Sequence, residues 1–135
     1  MTDFGSIAAR FDITSFYLRE FSEAIHLLRE ERSQSKEEVK DSLNKLLRIL
    51  DPIKQNLEGE LSQSISIDEH SVTEILRQKH DRDWQQFKKS VLEITLKISE
   101  GKANFSVSEI EILDEIADAV DMECAQLFKK ISGRS

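Results

Sequence analysis

Glu23 and His26 form the first spacing in the chain with chemical meaning. On a helix, Glu-x-x-His puts a carboxylate and an imidazole on one face, the element from which carboxylate-bridged di-iron bundles take part of their ligand set. Such a centre also needs a second Glu-x-x-His and two more inward glutamates. His70 and His80 do not supply it, because the residues three before them are Ile67 and Arg77. His26 is therefore expected on a helix surface, and neither a metal nor any other cofactor is expected.

Nucleophilic and phosphate chemistry have as little support. Cys124 falls between Val120 and Leu127, with Asp121 and Glu123 beside it, a setting that raises a thiol pKa and favours a buried structural role. The glycines at 5, 59, 101 and 133 are isolated, so no phosphate-cradling loop can be built from them. The serines have no Gly-x-Ser-x-Gly context. Acids at 109, 111, 114, 115, 118, 121 and 123 crowd one segment, and such a row of like charges reads as a solvated helix surface. No catalytic residue is expected, and the chain leans away from being an enzyme.

Residues 77–89, RQKHDRDWQQFKK, are the least ordinary stretch. They combine charges of both signs with His80 and the only tryptophan, Trp84. Trp and Arg side chains dominate interface energetics, so one reading makes His80, Arg82, Trp84 and Phe87 a partner-binding patch anchored on Trp84. The other reading places Trp84 and Phe87 in the core and the charges on the helix exterior, since aromatic residues in helical phase commonly pack inward.

These residues must be carried by helices. Apolar side chains alternate at three and four residues in four segments, the interval that keeps them on one stripe. The first runs Phe4, Ile7, Phe11, Thr14, Leu18, Phe21, Ile25 and Leu28; Gly5 and residues 12–15 weaken its first half, which allows a break near Asp12. The second runs Val39, Leu43, Leu46, Leu50, Ile53 and Leu57, with Pro52 expected to kink it or restart it from Asp51. The third joins Val72 and Leu76 to Trp84, Phe87, Val91, Ile94 and Ile98 through a stutter centred on His80. The fourth runs Ile110, Leu113, Ala117, Val120, Cys124, Leu127 and Ile131.

Ser35 with Glu38, Ser71 with Glu74 and Ser106 with Glu109 have capping-box spacing, and Phe105 with Ile110 adds a hydrophobic staple to the last. Gly59, Gly101 and Gly133 fall where helices two, three and four would close. Asp41 with Lys45 and Glu93 with Lys97 are helix-supporting pairs. The expectation is four helices over 3–32, 36–58, 70–100 and 107–131, each roughly 35 to 45 Å long at 1.5 Å per residue. The longer connection near 59–69, with Ile65 and Ile67 alternating with serines, is either an extended strap or mobile. The fold class expected is all-α, a single domain over 1–135, arranged as an antiparallel up-down four-helix bundle.

Composition agrees. The chain has 135 residues, 39% hydrophobic and 33% charged, enough for one core and too charged for a membrane span. Only 4 Gly and 1 Pro argue against an all-β fold, which needs frequent turns. A formal net charge of -7 opposes binding to nucleic acid. The single cysteine fits a reducing compartment, and the start of the chain lacks a signal-like apolar run, so a cytoplasmic location is expected.

The leading functional expectation is a non-enzymatic interaction module, an adaptor or regulatory subunit, that binds a protein partner or itself as a homodimer. Apolar residues beside the stripes, Ile112, Ile116, Phe128, Leu27 and Leu47, are a surplus that would complete a second interface. The alternative is a small-ligand or cofactor binder with a cavity between helices, including an enzyme without a recognisable motif. A four-helix unit with Pro52 near the middle of its second helix also loosely resembles the helical executioner domains of cell-death proteins. That resemblance implies membrane activity, which the acidic outer faces oppose, and a membrane is not among the expected partners.

Overall fold

The structure, a computed structural model, describes residues 4–30, 35–60 and 68–133. Among these residues all regular structure is helical, in five helices: α1 (Phe4–Arg29), α2 (Lys36–Leu57), α3 (Glu69–Lys79), α4 (Trp84–Ser99) and α5 (Val107–Ser132). Where one helix was expected over 70–100, there are two. The strap expected around Ile65 and Ile67 lies outside the described residues, as does the end of the first helix beyond residue 30.

The break that divides α3 from α4 falls at the stutter. Leu76 and Phe87 are 11 residues apart, close to three full turns, so a helix that kept running through His80 would hold the stripe nearly in phase. Four irregular residues, 80–83, interrupt it instead, and Val72, Leu76, Phe87 and Val91 are all buried. Asp81 and Asp83 are poor helix formers and cost little in a turn.

Neither of the first two helices restarts where the sequence allows it. α1 runs unbroken past Asp12, where the Ser15 hydroxyl donates to the Asp12 carbonyl at 3.1 Å. α2 runs unbroken through Pro52, whose ring is buried in the core. Proline deprives the Arg48 carbonyl of its helical donor, and packing of Ile49, Leu50 and Ile53, each 0% exposed, holds the helix together around it.

The ends follow the capping rules with two corrections. Ser106 and Glu109 form the complete capping box, and Ser35 accepts from the Glu38 N–H at 3.1 Å. The third expected box does not form, because the cap of α3 is Asp68, which accepts from the Ser71 N–H at 3.1 Å. Gly59 and Gly101 adopt φ of 78° and 81°, the left-handed closure expected of them, whereas Gly133 has φ of -77° and does not. Asp41 and Lys45 pair at 3.2 Å, and Lys97 reaches Glu109 at 3.1 Å.

Packing joins α1 to α5 and α2, α2 to α3 and α4, and α3 and α4 to α5. The contacts of α1 with α5 and with α2 run in opposite directions along each pair. Phe11 meets Phe128 with ring centroids 5.8 Å apart, while Arg29 at the other end of α1 binds Asp114. On the other flank of α1, Glu20 pairs with Lys45 at 3.1 Å and Arg48 lies over the Tyr17 ring. One core results, with Phe21, Leu46, Leu76, Ile98, Leu113 and Ile116 among its fully buried members.

Candidate partner-binding site

The turn at 80–83 organises the four residues singled out in the sequence. His80 caps α3, its N–H donating to the Leu76 carbonyl at 3.0 Å, and its own carbonyl accepts from Asp83 at 3.2 Å. Asp83 then opens α4, accepting from the Phe87 N–H at 2.9 Å. In a continuous helix His80 and Phe87 would be about 10 Å apart along the axis. The turn folds them together instead, with ring centroids at 4.0 Å and planes 9° apart. Trp84 continues the aromatic group at 6.1 Å from Phe87.

The His80 side chain is only 17% exposed. Its Nε2 lies 2.9 Å from Glu115 Oε2 on α5. A carboxylate can only accept, so Nε2 carries the proton in that bond. Nδ1 faces Asp83 at 3.6 Å, beyond hydrogen-bonding range. Lys79 also reaches Glu115, at 3.6 Å, so the end of α3 is tied to α5 by an imidazole and an ammonium on one carboxylate.

The core placement holds fully for Phe87 and only in part for Trp84. Phe87 is buried, and Trp84 packs against the core with part of its ring in solvent. That exposed part walls a groove of about 530 Å³ shared with Arg77, Asp81, Arg82 and Asp83. Arg77 is engaged with Glu74 at 3.4 Å. Among the described residues Arg82 and Asp81 make no ion pair.

Elsewhere, His26 is exposed and pairs with Glu30 at 3.0 Å on the helix surface. Among the described residues, no group of three or more His, Cys, Asp or Glu is placed to hold a metal ion. Cys124 is buried, and burial together with Asp121 and Glu123 pushes its thiol up to about 11. The surplus apolar residues divide: Ile116 is 0% exposed in the core, Ile112 and Leu47 pack against it, and only Phe128 (54% exposed) and Leu27 (38%) remain at the surface.

Glu115 and Glu123 belong to the acids first assigned to a solvated surface, and neither is solvated in that way. Glu115 anchors His80. Glu123 is 3% exposed, and the signal for it is in the spacing: it stands three after Val120, four before Leu127 and seven after Ile116, on the apolar face.

No described helix is long and apolar enough to cross a membrane. Comparison of the chain with protein families, with curated proteins and with solved structures finds no match.

Proposed function

We propose that the chain is a non-enzymatic helical interaction module, an up-down bundle of four antiparallel legs in which α3 and α4 together make the third, and that it pairs with a second copy of itself through the α3–α4 turn. The observation that carries this reading is the groove at that turn, where a half-buried tryptophan stands beside free charges of both signs. Trp supplies contact area that is already held rigid by its packing on Phe87, so little ordering entropy is lost on docking. Arg82 and Asp81 lie next to each other, which suits an isologous contact: a two-fold axis sets each arginine against the other copy's aspartate. The same surface on a different protein partner is the variant of this reading that the test separates.

The experiment is the solution mass across a dilution series for the native chain, Arg82→Glu and Trp84→Ala. A dimer that is weakened at least about tenfold by Arg82→Glu, on an unchanged helical spectrum, supports self-pairing. A native chain that stays monomeric at every concentration overturns it and leaves a foreign partner for this surface.

One observation favours the small-ligand alternative. A cavity of about 380 Å³ opens where α1 ends and α5 begins, lined by Leu28, Phe105, Val107 and Ile110 with Arg29 and Glu111 among its walls. Its size is within the range of small-molecule sites. An anilinonaphthalene sulfonate probe whose fluorescence rises with the native chain and not with Val107→Trp would support that alternative.

A further inference from the structure

α3 is the helix least well held by apolar packing. Over its 11 residues it buries two apolar side chains, Val72 and Leu76, together with two polar ones, Glu69 and Thr73. The Thr73 hydroxyl has no hydrogen-bond partner. Across from the start of α3, on α5, is Glu123, nine-tenths buried and more, with Oε2 also lacking a partner. Each orphaned buried polar atom has lost its water without gaining a partner, a desolvation cost that nothing offsets. An element with few apolar anchors, one such cost of its own and another across its contact with α5 occupies the low end of local stability.

The groups that face Glu123 come from three helices. From α3 they are the Ser71 hydroxyl and the carboxylate of its cap Asp68. From α1 comes Arg10, which is 3.8 Å from Asp68, and from α5 itself come Lys130 and the Cys124 thiol. Arg10 is shared with Asp68, so a charged Glu123 meets a carboxylate it repels, a cation already engaged, and Lys130 as its remaining cation.

We propose that α3 is a detachable element whose docking on α5 is gated by the proton on Glu123: docked firmly when the carboxyl is neutral, loosened when it is ionised. A neutral carboxyl is cheaper to bury and no longer opposes Asp68; its O–H is also a donor where Oε2 now has no partner. Burial first, and Asp68 second, push Glu123 above the usual carboxylate range. The sign follows. Between the unfolded value and the higher folded one, the docked state holds more protons, so docking weakens as pH rises through that window and is constant above it. Loosening α3 would also release the far end of the helix at His80, and so disturb the turn that carries Trp84.

Hydrogen–deuterium exchange of the full chain tests this, with each peptide's protection corrected for the intrinsic rate at about pH 5 and about pH 8. In the native chain, protection over α3 should fall severalfold from the lower to the higher pH while α2 changes little. Glu123→Gln, which fixes the neutral form, should keep α3 at its low-pH protection at both values. Asp68→Asn retains a capping oxygen and removes the repelling charge; it should show a smaller fall than the native chain. His80→Asn removes the imidazole that ties the end of α3 to Glu115 and should retain the dependence. Equal α3 protection at the two pH values in the native chain overturns the proposal. So does a dependence that survives Glu123→Gln or disappears with His80→Asn.

Discussion

His80 joins three pieces of the molecule through one ring: it ends α3, stacks on Phe87 of α4 and binds Glu115 of α5. Truncation to alanine removes the stack and the hydrogen bond together, and the expected cost is about 1 to 2 kcal/mol, read as a lower urea midpoint with an unchanged slope. Cys124 offers a second test at this scale. With the thiol pushed up to about 11 and the side chain buried, the folded protein should react with a disulfide reagent near pH 8 on the order of a hundredfold more slowly than the urea-unfolded chain. Fast reaction of the folded chain would mean that α5 opens easily around it. The side chains of the 77–89 segment were legible in the sequence as a group because their types are uncommon together. Glu115 was not, since nothing in its local spacing distinguishes an acid that meets a histidine 35 residues away from one that meets water.

Helix ends were the most legible features, because a cap is a local bargain between a side chain and the first free N–H groups. The Ser106 and Glu109 box forms as its spacing implies. Ser71 and Glu74 have the same spacing and fail, because Asp68 stands three residues earlier and captures the Ser71 N–H first. Glu109 makes the box testable. Burial pushes its carboxyl up, but the Ser106 N–H and the Lys97 ammonium outweigh burial and hold it below the usual range. Its stabilising effect is therefore present at neutral pH and is lost as pH falls through that lowered value. Glu109→Gln should cost about 1 kcal/mol at pH 7 in thermal or urea unfolding, and the difference should shrink once the native carboxyl is protonated in acid. The break at 80–83 was half legible: the apolar phase showed a stutter, but the phase alone does not say whether a helix unwinds through it or stops.

At the scale of the whole molecule, the apolar stripes located the core and understated its width. Leu46, Leu50, Leu113 and Val120 are on the stripes and buried, but so are Ile49 and Ile116 beside them. A helix with neighbours on more than one side buries a broader arc than a two-helix seam, and periodicity read one helix at a time cannot show how many neighbours there will be. Leu46→Ala should cost about 2 to 5 kcal/mol, since the residue is fully enclosed. Phe128→Ser, at a side chain 54% exposed, should cost far less and mainly loosen the contact with Phe11. That contact has a kinetic meaning as well. The first and last helices pack on each other, so a ribosome must deliver α5 before α1 can cover its buried face. Until then Phe21 and Leu28 have only α2 for shelter. A nascent chain stalled ahead of residue 107 should therefore be a better chaperone client than one that carries α5, and cooperative folding should begin only after α5 has cleared the exit tunnel.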